Sequence, residues 1–128
     1  ALKLKPDFTD ARINLGNALA VQGRLREAAT QFREAARLQP NSGDAFLNLG
    51  HALTELGELG PAGDAYAKAA ALNPRNVEAW IGLGFALARQ NKPKEAREPL
   101  QKALALDPSN ERAKEALTNI EKYLRERQ

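Results

Sequence analysis

Few residues in this chain are equipped for covalent chemistry. His51 is the only histidine and there is no cysteine. Thiolate nucleophiles, disulfides and cysteine-based metal sites are therefore excluded. A Ser/His/Asp hydrolase would have to use His51, yet no nucleophile motif accompanies it. A zinc site needs several His, Cys or carboxylate ligands at fixed spacing, and one histidine does not supply them. Gly82-Leu83-Gly84 could suggest a phosphate-cradling loop, but such a loop follows a strand and opens a helix. Both glycines instead sit within a helical pattern. Gly57, Gly60 and Gly63 read as an inter-helix turn. Catalysis is not expected, and neither is a cofactor or metal.

Charge narrows the partners. The 19 basic and 16 acidic residues leave a net charge of +3, with the cations interleaved with Glu along the chain. A nucleic-acid footprint would cluster them. No apolar run approaches the ~20 residues of a membrane span, and no secretory signal is visible at the start of the chain. Membrane insertion is not expected, and a soluble chain of the cytoplasm is. Ala, Leu, Glu, Arg and Lys dominate while Val, Ile and Thr are sparse. That balance favours helix over sheet.

The elements that position the chemistry recur every 34 residues. Prolines stand at Pro6, Pro40, Pro74 and Pro108. Leu15-Gly16, Leu49-Gly50 and Leu83-Gly84 form a second column. Leu19, Leu53 and Leu87 form a third, Ala28, Ala62 and Ala96 a fourth, and Phe32, Tyr66 and Leu100 a fifth. A glycine inside a helix costs ~1 kcal/mol relative to Ala. Three in register call for a packing reason, namely close approach of the facing helix. Gly23, Gly57 and Asn91 fall where a helix must stop in a left-handed residue. The column prolines cannot continue the helix before them, and Asp7, Asn41 or Ser42, Asn76 and Asn110 are the expected N-caps. These signals predict helices near 8–22, 25–38, 43–56, 60–72, 77–90, 94–106 and 110–126. Pro99 falls inside the sixth and is expected to kink it. Arg12 replaces the aromatic of the column that holds Phe46 and Trp80, its stem lying flat.

This pattern resembles the tetratricopeptide repeat family, whose 34-residue unit is a helix–turn–helix. The resemblance implies an all-α, right-handed superhelical solenoid of antiparallel helix pairs. Residues 9–42, 43–76 and 77–110 would be three full repeats, and 111–128 a C-terminal capping helix with the apolar stripe Ala113, Ala116, Leu117 and Ile120. Residues 1–8 read as the tail of a truncated preceding repeat, whose uncapped end invites weak self-association.

In this family the first helix of each pair lines the concave side. Helical spacing then places Asp10, Ile13, Asn14, Asn17 and Val21 on that side, followed by Asp44, Leu47, Asn48, His51 and Glu55 in the second unit. The third unit contributes Glu78, Ile81, Gly82, Phe85 and Arg89. The core stripe runs instead through Leu15, Leu49 and Leu83. Phe32, Phe46, Tyr66 and Trp80 are read as core. Ile13, Leu47, Ile81 and Phe85 would form an apolar strip, and Asn14, Asn17 and Asn48 would offer amides able to pair with both the N–H and C=O of an extended peptide. His51 is read as an exposed groove residue, and Arg89 as a further residue of the partner-binding groove. The expected ligand is a protein or peptide segment. Some members grip a C-terminal carboxylate with a Lys-Asn-Asn-Lys-Arg clamp. The matching positions here are Ile13, Asn17, Asn48, Glu78 and Gly82, so a carboxylate-clamp binder of chaperone tails is not expected. The groove asparagines and residues 1–8 are also similar to the repeat region of O-GlcNAc transferase and to bacterial scaffold proteins. That likeness implies two alternative roles: presenting polypeptide substrates to a separate catalytic domain, or self-assembly as a scaffold.

Overall fold

Three turns of one design set the geometry. Each first helix of a pair ends in a left-handed residue, Gly23 (φ 82°), Gly57 (φ 81°) and Asn91 (φ 65°). The next N–H then reaches back to a leucine carbonyl: Arg24 to Leu19 at 2.9 Å, Glu58 to Leu53 at 2.9 Å and Lys92 to Leu87 at 3.0 Å. This is the Schellman arrangement, and it satisfies carbonyls that the helix end would otherwise orphan. The three repeating leucines are its carbonyl acceptors.

The computed structural model describes residues 4–127, with side chains from Phe8 onward. It holds α1 (Leu4–Val21), α2 (Leu25–Leu38), α3 (Gly43–Glu55), α4 (Leu59–Leu72), α5 (Val77–Arg89), α6 (Pro93–Leu106) and α7 (Glu111–Glu126), with no strand among the described residues. Between pairs the chain turns at Pro40, Pro74 and Pro108. Ser42, Asn76 and Asn110 then cap α3, α5 and α7 by accepting from the N–H of Ala45, Ala79 and Ala113 at 3.2, 3.2 and 3.0 Å. Such caps contribute about 1 kcal/mol each.

Each helix packs on its chain neighbours, so the array is a helical-repeat solenoid. The odd-numbered helices also touch one another along the row, α1 with α3, α3 with α5 and α5 with α7, whereas α2, α4 and α6 do not. The stack is tighter on its odd-helix side, which is therefore the concave one.

Within a pair, a large side chain from the second helix fills the gap over a glycine of the first. A Cβ on Gly16 would lie 2.5 Å from the Phe32 ring, on Gly50 2.8 Å from Tyr66, and on Gly84 2.6 Å from Leu100. Phe32, Tyr66 and Leu100 are all buried. Between pairs, alanines make the seam. Ile13 packs on Ala35, Ala36 and Ala45, Leu47 on Ala69, Ala70 and Ala79, and Ile81 among Ala103 and Ala113. α7 closes the last pair with Ala113 and Ile120 buried and Ala116 and Leu117 packed beside them.

Several expectations are corrected. Asp7 is not a cap: α1 starts at Leu4 and runs through Pro6 and Asp7. A proline in the first turn gives up an N–H that has no intrahelical partner there. Residues 1–3, part of the expected truncated tail, lie outside the described residues. Leu15, placed in the core stripe, is 49% exposed, because no described helix packs on that side of α1. Gly60 and Gly63 belong to α4 rather than to a turn, and Gly63 faces Ala86 and Gln90 across the seam. Phe46 and Trp80 are only half-buried, lying between successive pairs. Trp80 donates its indole N–H to the Pro74 carbonyl at 2.8 Å. Arg12 is half-buried as expected and donates to Gln31 of α2 at 3.0 Å. α6 continues as one helix through the buried Pro99.

Replacing Gly84 by Ala should cost about 1–3 kcal/mol by overpacking against the fully buried Leu100. Gly43→Ala, with nothing within 4 Å of the added methyl, should leave stability nearly unchanged. Urea unfolding of the two variants checks this, and equal midpoints would remove the packing reason assigned to the glycine column.

Candidate partner-binding groove

α1, α3 and α5 carry the sequence-predicted site residues on the concave side. Asn14 and Asn17 are exposed and Asn48 is half-buried. None of the three side-chain amides hydrogen-bonds within the chain among the described residues. Their donors and acceptors thus face solvent on a surface built by rigid helices.

The apolar strip needs correction. Ile81 is fully buried and cannot touch a guest, because α6 and α7 close over it. Ile13 and Leu47, from the same column, are half-buried and already occupied in the alanine seams. They keep partial exposure, but their first role is to join successive pairs. Phe85 is half-buried and does face the groove. Arg89 stands exposed in the last turn of α5, away from the groove's recess.

The structure brings His51 and Phe85 together around a recess of about 190 Å³, with Thr54, Glu55, Tyr66, Glu78, Gly82 and Arg112. Gly82 lets Tyr66 approach. It occupies the column of Asn14 and Asn48, and a Cβ there would lie 2.4 Å from the Tyr66 ring. Tyr66 is therefore held between Gly50 of its own pair and Gly82 of the next. The residue is 3% exposed, yet it lines the recess.

The Tyr66 hydroxyl and His51 Nδ1 share a hydrogen bond of 2.8 Å, and the rings meet edge to face at 5.4 Å. Thr54 donates its proton to the Gly50 carbonyl at 2.8 Å and approaches the Tyr66 oxygen at 3.4 Å. Burial of this edge pulls the His51 pKa below 6.5, outweighing the carboxylates of Glu78 and Glu55, while Arg112 pulls it the same way as burial. Burial also raises the Tyr66 phenol above 10.0. Across the mouth, Arg112 stacks on the Phe85 ring at 5.4 Å and pairs with Glu78 at 3.7 Å, both charges remaining more than half exposed.

Sequence reasoning missed three of these residues. Tyr66 was read only as core, though its column otherwise holds Phe32 and Leu100, and the hydroxyl was the signal. Thr54 carried no signal. Arg112 belongs to the expected capping helix, outside its apolar stripe. It follows Glu78 by one 34-residue period, in a column otherwise made of Asp10, Asp44 and Glu78, and reverses its charge.

A model described as "Tetratricopeptide repeat" matches residues 47–111, and one described as "TPR repeat" matches residues 16–57. The chain belongs to the tetratricopeptide repeat family. Repeats of this family serve as protein-interaction modules. The Arabidopsis OM64 TPR domain is 26% identical and superposes with a TM-score of 0.88 over 93% of this chain and 98% of that one. The first TPR domain of human RPAP3 is 25% identical, with a TM-score of 0.87 over 94% of this chain and 95% of that one. The first TPR of Spaghetti (RPAP3) bound to the HSP90 peptide SRMEEVD is 24% identical, with a TM-score of 0.89 over 92% and 94%, and shares the fold. A comparison with curated protein sequences returns no match. Among the described residues, no helix of this TPR chain is long and apolar enough to cross a membrane.

The His51 pKa gives a testable pH dependence. The folded state binds the His51 proton less tightly than the unfolded chain does. Stability from this group is therefore complete above about pH 6.5 and declines as pH falls through 6.5 toward the lower folded value. Thermal melts at pH 7.5 and 5.5 should show a lower Tm at the acid end, with a smaller drop in His51→Gln. An NMR titration placing His51 at or above 6.5 would contradict the effect assigned to its burial.

Proposed function

We propose that this chain is a non-catalytic module that holds an extended segment of a partner polypeptide along its concave side. The observation that carries the reading is the set of amides of Asn14, Asn17 and Asn48, presented on α1 and α3 without hydrogen-bond partners among the described residues. Asparagine is a mediocre helix former, and its place there is explained by what it can bind. An amide pairs with the N–H and C=O of a guest backbone irrespective of the guest's side chains. Phe85 and the exposed parts of Ile13 and Leu47 add apolar contact. The first TPR of Spaghetti (RPAP3), described as bound to the HSP90 peptide SRMEEVD, has the same fold. Its ligand class is not carried over whole. Where a clamp for a terminal carboxylate needs cations, this chain has Ile13, Glu78 and Gly82, and Glu78 would repel a carboxylate.

Changing Asn14, Asn17 and Asn48 together to Ala should weaken capture of the partner segment about tenfold or more, at about 0.5–1.5 kcal/mol per neutral hydrogen bond. Far-UV circular dichroism should be unchanged. Calorimetry with a cognate peptide selected from a display library checks this, and unaltered affinity would remove the amides from the contact surface.

A second reading, self-association of two copies, rests on α1, where Phe8, Leu15 and Val21 are 60%, 49% and 89% exposed. On this reading light scattering shows a mass that rises with concentration and returns to the monomer value in Leu15→Glu. A constant monomer mass would dismiss it.

A further inference from the structure

The recess between α3, α5 and α7 differs from the rest of the groove, and its chemistry specifies a guest side chain. Along α1 and α3 the column that faces the guest carries amides, Asn14 and Asn48. In α5 it carries Gly82, which admits the Tyr66 ring and lines a recess of about 190 Å³. Two carboxylates line it, Glu55 from α3 and Glu78 from α5, against the single guanidinium of Arg112 from α7. His51 is tied to Tyr66 through Nδ1 at 2.8 Å, and partial burial lowers its pKa below 6.5, so it adds little positive charge at neutral pH.

Arg112 shows what this mouth accepts. Its guanidinium lies over the Phe85 face at 5.4 Å and pairs with Glu78 at only 3.7 Å, beyond ordinary hydrogen-bond range. A cation meets a ring face and two carboxylates here, whereas an anion meets both carboxylates with one loosely held guanidinium in return. Arg112 is tethered on a different helix and lines the recess beside Phe85 and Glu78. The site thus already holds an intrachain cation of the right chemistry at its wall.

We propose that this recess is a specificity subsite for a basic side chain, the ammonium of lysine or the guanidinium of arginine, on the guest polypeptide. The inference rests on the groove reading and deepens it. The guest cation lies between Glu55 and Glu78 with its stem against Phe85 and the Tyr66 ring, and Arg112 swings away from Glu78 as it enters. Arg112 is then a built-in competitor. Removing it strengthens binding, an outcome that a merely structural role for Arg112 would not produce.

The test uses capped single residues, so that no peptide sequence need be known. The full chain, labelled with nitrogen-15, is titrated with the Nα-acetyl methylamides of lysine, arginine, norleucine and glutamate at millimolar concentration. The lysine and arginine probes should move the amide signals of His51, Gly82 and Phe85, and the other two should leave them in place. Glu78→Gln should weaken the basic probes about three- to fivefold, and Arg112→Ala should tighten them by a similar factor, the range for partly exposed ion pairs. Glu78→Gln preserves shape and fold; Gly82→Ala, which collides with Tyr66, is not needed. Binding of the glutamate probe at least as strong as that of lysine, weaker basic-probe binding in Arg112→Ala, or no movement of these three signals with any probe would each overturn the subsite. A neutral peptide of alternating Ala and Leu, titrated in parallel, separates the two ideas. If it moves the Asn14, Asn17 and Asn48 signals while the basic probes fail, the groove stands without this subsite. If it moves none of them, the groove reading fails as well.

Discussion

Everything in this array depends on how closely the two helices of a pair approach. The approach is set where Phe32, Tyr66 and Leu100 settle onto Gly16, Gly50 and Gly84, at distances that leave no room for a methyl group. Helix propensity argues against each of these glycines by about 1 kcal/mol. The compensation is burial of a large side chain, which contributes about 1.5–3 kcal/mol for residues of this size. The Schellman turns at Gly23, Gly57 and Asn91 hold the pair at the angle this contact needs. The Ser42, Asn76 and Asn110 caps start each next first helix in the matching register.

Curvature follows from the same packing. Alanines at the seams let the odd-numbered helices touch their successors, while the even-numbered helices stand apart. A chain that bends this way exposes one face of its odd helices in a hollow. Asn14, Asn17 and Asn48 stand there without hydrogen-bond partners among the described residues. The third pair departs from the first two where Gly82 replaces the asparagine of Asn14 and Asn48 and Phe85 stands in the column of Asn17 and His51. Gly82 admits the Tyr66 ring, whose hydroxyl lies beside the recess. The groove is therefore uneven along its length, with amides on α1 and α3 and the recess with Glu55, Glu78 and Arg112 between α3 and α7.

Much of this was legible in the amino-acid order, because a repeat states the same local rule several times. Helix ends were read from proline, glycine and cap residues, whose effects are short-ranged. Their positions agree with the structure to within a residue or so for α2 to α7. The same reasoning misjudged Asp7, since a first-turn proline is as acceptable inside a helix as before one. It misjudged Ile81 and Leu15 for a different reason. Periodicity says which residues share a face, but not which faces another helix will cover. α7 covers Ile81, and no described helix covers Leu15.

By itself, then, the sequence determined the all-α repeat, its period, its turns and the close glycine contacts. These rest on backbone sterics and on side-chain volume within one 34-residue unit. Only the tertiary structure decided the site. The Tyr66 hydroxyl reaches His51 because α4 lies under α3, and Arg112 reaches Phe85 and Glu78 because α7 packs beside α5. Those contacts join residues 15 to 34 positions apart, and packing, rather than local preference, brings them within a few ångströms.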